Sequence, residues 1–434
     1  MFIKFIQVFI LFLCFQQNIF AALKINTWET KEGAKVFFVE NHDLPILDIN
    51  VNFFAGSAQD TLGKEGLANL THHLMRLGAA GINEEKLANQ FSDIGAKISG
   101  DIDLDRAHFK LRTLSSSLQK DKALTLFKYV IHAPDFPEIV LAREKGRIIA
   151  GIKQSLTQPE AIANLAFMQS MYGDHPYAHD EVGSVDALQK LNQADLKQFY
   201  KNFYLSSESS IVIVGDLNAD EAKKISESIS QGLPQGVTKF SVRPVTDQNN
   251  VEIKKIQHPA TQAHILLGMP ALKRGEKDYF PLYVGNYILG GGGFVSRLTE
   301  EVREKKGLVY SVYSYFKPLY VEGPFEIGLQ TKKEQTDEAL NIVNSTIRKF
   351  IDEGPSQKEL VAAKQNLVGG FPLRLDSNAK ILDYLSMMAF YKLPINYIDN
   401  YINEINKVTI DQIKTAFKNK IDPNKLTTII VGSE

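Results

Sequence analysis

The stretch GLANLTHHLMRLG, Gly66 to Gly78, decides how the rest of the chain is read. Leu67, Leu70, Leu74 and Leu77 recur at helical spacing, so one stripe of a helix faces a core. Asn69 and His73 stand four apart and share a different face, with His72 beside them. Ligands at i and i+4 can reach one metal ion, and an adjacent carboxylate can act as general base on a zinc-bound water. Here the three places read Asn69, His72 and His73. A neutral amide is a poor zinc ligand, and neighbours on a helix point about 100° apart, so His72 and His73 cannot grip the same ion. No carboxylate is left to activate water. The stretch keeps the layout of a zinc-hydrolase helix without its chemistry.

Gly56 and Ser57 upstream, with Gly66, Leu67 and Ala68 leading into the helix, complete a frame that resembles the inverted zinc motif H-x-x-E-H of the pitrilysin and insulinase peptidases, which include mitochondrial processing peptidase. In that family the third ligand is a Glu on a later helix, seven residues after another Glu, in a segment similar to this chain's AREKGRIIAGIK. The resemblance sets Glu144 on the earlier Glu and Gly151 on the ligand position. First ligand, general base and third ligand are therefore missing together, and only His73 remains. The resemblance implies a chain that is not a zinc peptidase alone and binds no cofactor of its own.

At the N-terminus Lys4 precedes an apolar run from Phe5 to Phe15, interrupted only by Gln7, and the small residues Ala21 and Ala22 follow. This reads as a secretory signal peptide over 1–22, because the run is shorter than the ~20 residues that span a bilayer. The one cysteine, Cys14, lies inside the run, so the mature chain has neither disulfides nor thiolate ligands. A chain of this length buries enough apolar surface without them. The expected location is a periplasm, and no later apolar stretch is long enough to anchor the mature chain in a membrane. With 49 basic against 50 acidic residues the net charge is −1. No basic run offers a nucleic-acid footprint.

The mature chain carries a duplication. SIVIVGDL, Ser210 to Leu217, returns as TTIIVGSE, Thr427 to Glu434, which sets Val214-Gly215 on Val431-Gly432 at an offset of 217. The same offset places Leu196-Lys197 on Ile413-Lys414, Tyr200 on Phe417, and LDINVNFFAG (Leu47 to Gly56) on HILLGMPALK (His264 to Lys273). Each half reads as α+β. KVFFVE, LDINVNF and SIVIV alternate as strands, while Glu84 to Ile94, Pro137 to Gln154 and Ala187 to Phe203 carry helical periodicity, with Pro137 in a first turn. A polar, turn-rich stretch over 231–250 reads as a linker between a domain at 23–230 and one at 251–434. The resemblance implies two homologous domains, each with helices on one face of a mainly antiparallel sheet, forming half of a clamshell that a second chain completes around a peptide-sized cavity.

In the second half ILGGGGFVSRLTEEVREKKGLVYSVYSYF, Ile288 to Phe316, runs from a glycine turn into a helix capped by Ser296 and stopped by Gly307, then into a strand from Val309 to Phe316. Its four glycines lack the Gly-Lys-Ser/Thr of a phosphate loop. The stretch resembles the family's R-x6-Y element, which implies that Arg303 holds a substrate carbonyl and Tyr310 donates to the oxyanion across the cavity. On residue type alone, a Tyr on an alternating strand such as Tyr310 is more often core, and an Arg among charged neighbours such as Arg303 is more often a solvated helix face. Tyr313, Tyr315 and Arg297 are nearby alternatives. Asp101, Asp103 and Asp105 alternate as a wet strand face or a calcium site, His175 and His179 fall in a loop broken by Pro176, and His258 and His264 read as ordinary histidines.

The expected function is that of a non-catalytic subunit, supplying Arg303 and Tyr310 in trans to a paralogous H-x-x-E-H chain that carries the zinc and hydrolyses extended peptides. The alternatives are a structural or peptide-binding clamshell with no part in hydrolysis, and a self-sufficient hydrolase with an atypical site at His72 or His73.

Overall fold

A computed structural model describes residues 23–236, 240–246 and 253–433. The expected signal peptide, 1–22, lies outside the described residues.

The first sheet has six strands: β1 (Ile25–Glu29), β2 (Lys35–Glu40), β3 (Ile46–Phe53), β6 (Lys97–Ile102), β7 (Ala107–Leu114) and β8 (Ser209–Gly215), in the order β1-β2-β8-β3-β7-β6. A two-stranded ribbon of β4 (Gly78–Ala79) and β5 (Ile82–Asn83) stands apart. The second sheet uses β9 (Ile253–Gln257), β10 (Gln262–Leu272), β11 (Val309–Phe316), β12 (Gly323–Lys332) and β13 (Thr427–Ser433), in the order β11-β12-β10-β13-β9. Reversing the first order and omitting β1 gives the second, strand for strand. Each sheet has one parallel pair, β2 with β8 and β9 with β13, and is otherwise antiparallel.

Eight helices matter for the site: α1 (Leu67–Leu74), α2 (Glu138–Ser155), α3 (Pro159–Tyr172), α4 (Gln193–Phe203), α5 (Tyr279–Asn286), α6 (Gln357–Gly370), α7 (Asn378–Phe390) and α8 (Ile410–Lys420). The 217-residue offset carries α4 onto α8 end to end and sets α2 on α6 and α3 on α7. α3, from the first half, packs on β10 and β13, while its counterpart α7 packs on β3 and β8. Each half thus lends one helix to the other's sheet. Phe167 of α3 lies against Gly268, and Asn50 of β3 donates to Ser386 of α7 at 2.6 Å. Strand alternation explains why β3 tolerates this double burial: Leu47, Ile49, Val51 and Phe53 face one helix layer, and the polar Asp48, Asn50 and Asn52 lie under α7 with partners.

Four local expectations need correction. The periodicity over Ala187 to Phe203 is two helices, Val185–Lys190 and α4, because Asn192 forms a capping box with Asp195 and restarts the backbone. Pro137 stands at the N-cap, one residue before the first turn of α2. The Gly290 region is not a tight turn but a wide helical turn, Tyr287–Gly291, in which Gly290 abuts Ser314. Asp105 is not on a wet face, since β6 ends at Ile102 and Asp105 is fully buried. It accepts from the Tyr177 hydroxyl of the first half and from the Tyr391 hydroxyl (2.9 Å) and Tyr320 N–H (2.8 Å) of the second. In the segment between the sheets, Phe240 stacks on Phe54 at 4.0 Å and Val242 is buried.

Candidate functional site

Gly66, at the N-cap of α1, has no side chain to satisfy the first N–H groups. Asp60 does so from the preceding loop, accepting from Gly66 N–H at 2.7 Å and Ala68 N–H at 2.8 Å. Burial pushes its carboxyl up to about 7, against those donors. The sequence reading missed Asp60, although an acidic residue ahead of an uncapped helix was available as a signal. The loop is held close by Gly56, where a Cβ would come within 2.3–2.4 Å of the backbone of Leu104, Asp105 and Arg106.

His72 points into the core. It is 3 % exposed, stacks on Phe109 at 4.4 Å, and donates from Nε2 to the His108 carbonyl at 3.0 Å. Burial lowers it to about 3, so it is neutral. His73 lies on the adjacent face, half-buried, and donates from Nε2 to Glu144 Oε2 at 3.0 Å. Glu144 is buried on α2 and also accepts from Arg143 Nε (2.7 Å) and Arg147 Nη1 (3.2 Å), while Arg143 forks onto Glu84 at 2.6 Å. Burial would raise the Glu144 carboxyl, but the hydrogen bonds from His73, Arg143 and Arg147 outweigh it and hold it at about 2. Gly151, further along α2, is exposed, and a Cβ there would meet nothing within 4 Å.

These residues do not fit a zinc ion. Asn69 offers an amide, the Nε2 atoms of His72 and His73 are committed to protein acceptors, and Gly151 offers no donor. Among the described residues no three His, Cys, Asp or Glu side chains gather as a ligand set. Asn69 instead lines a cleft of about 450 Å³ between the halves with Asp101, Asp180, Glu181, Lys317 and Glu326. Burial pushes Glu181 up to about 7 and raises Glu326 as well.

Arg303 lies on a wide helical turn, Thr299–Glu304, and Gly307 follows at φ +65°, where the chain leaves helical geometry for the edge strand β11. The Arg303 guanidinium sits 4.8 Å over the Phe294 ring and 3.5 Å from Glu304. β11 pairs Val309 with Thr331 and next Val312 with Leu329, so Tyr310 and Ser311 together oppose Gln330. Such a bulge re-aims a side chain. Tyr310 is accordingly 85 % exposed, and its hydroxyl makes no hydrogen bond among the described residues. The alternatives are more engaged: Tyr313 lies over Gly328 and stacks on Tyr315, and Arg297 forks onto Glu359 at 2.6 and 2.8 Å. Tyr310 lines a smaller cavity of about 140 Å³ with His264 and Glu160, separated from the Asn69 cleft by α3, whose Asn164 lines both. His175 donates to the Arg243 carbonyl at 2.8 Å and His258 to the Thr157 carbonyl at 3.1 Å, both as structural histidines.

The family model described as insulinase (peptidase family M16) matches residues 35–182, and that described as peptidase M16 inactive domain matches 190–367. A non-peptidase homolog, YmxG, from Helicobacter pylori is 27 % identical over 404 residues, covering 92 % of each chain. A crystal structure of a peptidase M16 inactive domain from Pseudomonas fluorescens superposes with a TM-score of 0.92 at 36 % identity, covering 95 % of this chain and 98 % of that one. The periplasmic protease PqqL from Escherichia coli shares the fold at a TM-score of 0.76 and 14 % identity, with 94 % of this chain matching 47 % of that one. Among the described residues no helix is long and apolar enough to cross a membrane.

Proposed function

This chain belongs to the insulinase family of M16 peptidases, and from that premise we propose that it is the non-catalytic subunit of a periplasmic zinc peptidase, completed by a paralogous chain bearing H-x-x-E-H. The observation that carries the proposal is the contrast between the halves. The first has a core histidine, a histidine bonded to a buried carboxylate, and a glycine at the ligand and base positions, while the second projects Tyr310 from a bulge with its hydroxyl unbonded among the described residues.

In the assembled pair the Tyr310 phenol donates to the oxygen of the scissile carbonyl as it becomes an oxyanion, and the Arg303 guanidinium holds a neighbouring backbone carbonyl. Both interactions strengthen as negative charge develops, so they act on turnover more than on binding. Extended peptides enter between the halves, and the edge strand β6, whose Asp101 and Ile102 line the Asn69 cleft, offers main-chain groups for strand addition. The Arg303 contact with Phe294 favours a second reading, in which Arg303 only shapes its own turn and the clamshell binds peptides without aiding hydrolysis. Kinetics of the reconstituted pair separate the two: Tyr310→Phe and Arg303→Ala each lower kcat by roughly 10²-fold or more if they act on the transition state. Unchanged turnover in both variants leaves only the binding role.

A further inference from the structure

The duplication marks a second cleft. The offset that maps the two halves carries Asn69 onto Asn286 and α2 onto α6, so the counterpart of the degenerate metal site lies between α5, β11 and α6. A cleft of about 370 Å³ opens there. Its lining contains two arginines, Arg274 and Arg374, four tyrosines, Tyr279, Tyr283, Tyr287 and Tyr315, and no carboxylate.

Arg112 and Arg297 each fork onto a carboxylate, Asp48 and Glu359. Arg274 makes no ion pair or side-chain hydrogen bond among the described residues, and its Nε is shielded from solvent without an acceptor. Its guanidinium is fixed by ring faces instead, 5.9 Å from the centre of Tyr279 and 5.2 Å from that of Tyr391. Arg374 donates from Nη2 to the Tyr283 hydroxyl at 2.8 Å, which leaves its other N–H groups for a ligand. A buried guanidinium N–H without an acceptor is costly, and a planar carboxylate matches the guanidinium fork better than any neutral group. Tyrosine faces around the two cations suit an apolar or aromatic body carrying that carboxylate. Asn286, at the place of the missing ligand's counterpart, is bound to Ser314 and serves only as wall.

We propose that this cleft is a binding site for a carboxylate-bearing ligand, held by the guanidiniums of Arg274 and Arg374 between tyrosine rings. The ligand is either a peptide's terminal carboxylate or a free small aromatic acid, which share this chemistry. The site stands independently of the trans-acting role, because it can be measured on the chain alone. The test is calorimetric titration with N-acetyl-phenylalanine, with its C-terminal amide, and with a short peptide ending in phenylalanine as a free acid. The free acid binds, the amide binds at least about tenfold more weakly, and Arg374→Gln and Arg274→Gln each cost about tenfold. Arg374 is exposed, so its variant reports even if Arg274→Gln unfolds, and Arg274→Lys keeps the charge while losing the fork. A peptide that binds tighter than the single residue identifies the terminus of a chain as the source, and equal affinity identifies a free acid. Equal binding of acid and amide, unchanged affinity in both arginine variants, or preference for inorganic phosphate overturns the proposal.

Discussion

Glu144→Gln tests whether His73 is engaged by an internal hydrogen bond to a buried carboxylate. The carboxylate accepts from His73 at 3.0 Å, Arg143 at 2.7 Å and Arg147 at 3.2 Å. A glutamine keeps one acceptor oxygen and turns an NH₂ group toward the other donors. Hydrogen bonds to a charged group contribute about 1.5–3 kcal/mol each. The side chains of Arg143 and Arg147 are 44 % and 73 % exposed, so water replaces much of what they lose. The bond to His73 is the one counted fully, and the expected cost is about 1.5–3 kcal/mol at pH 7. The pH dependence has a definite sign. The folded carboxyl is depressed from 4.5 to about 2, so its contribution is complete above about pH 4.5 and is lost as pH falls toward 2. Urea unfolding of both proteins from pH 7 to pH 2 should show the gap undiminished down to about pH 4.5 and its narrowing from there toward pH 2. A variant within about 0.5 kcal/mol of wild type at pH 7, below the range for such bonds, refutes the reasoning.

Three further outcomes follow from the same geometry. Gly56→Ala should cost more than about 3 kcal/mol or prevent folding, because the nearest atoms are backbone and cannot yield; soluble protein with unchanged melting contradicts this. Asn69→His with Gly151→Glu should gain zinc by metal analysis after dialysis, since His73 then has a partner at i−4 and the added Glu meets open space; a wild-type chain that kept one zinc per molecule and lost it in His73→Ala would overturn the reading of the site. Burial raises Asp105 from 3.8 to about 6, so the folded state holds its proton more tightly, and stability from that term is present below about pH 3.8 and lost as pH rises through 6. Asp105→Asn should therefore improve relative to wild type between pH 4 and pH 7 in urea unfolding, and parallel curves would contradict it.

The duplicated fold was legible because register survives in sequence. Val214-Gly215 and Val431-Gly432 end equivalent strands, and the offset they set also superposes α4 on α8. The exchange of α3 and α7 between sheets was not legible, since helical periodicity shows an apolar face but not which sheet it covers. The residue types at Asn69, His72 and Gly151 were legible directly and carry no zinc-ligand chemistry in sequence or structure. What His72 and His73 do instead was hidden, because His108 and Glu144 lie 36 and 71 residues away. Asp105 was misread because strand alternation was extended past Ile102, where a turn carries the carboxylate into the junction between the halves. The bulge that exposes Tyr310 depends on pairing with β12 and leaves no mark on β11 alone. Arg274 and Arg374 lack any motif, and only the fold places both against the Tyr283 side of one cleft.

The most direct measurement is a native pull-down of the tagged chain from the cells that make it, followed by peptide turnover of the purified complex with wild-type or Tyr310→Phe subunit. The trans-acting account predicts a stoichiometric partner carrying an intact H-x-x-E-H, hydrolysis by the pair and by neither chain alone, and a lower kcat in the variant with little change in KM. A chain that returns only itself, or a pair whose turnover ignores Tyr310 and Arg303, contradicts it.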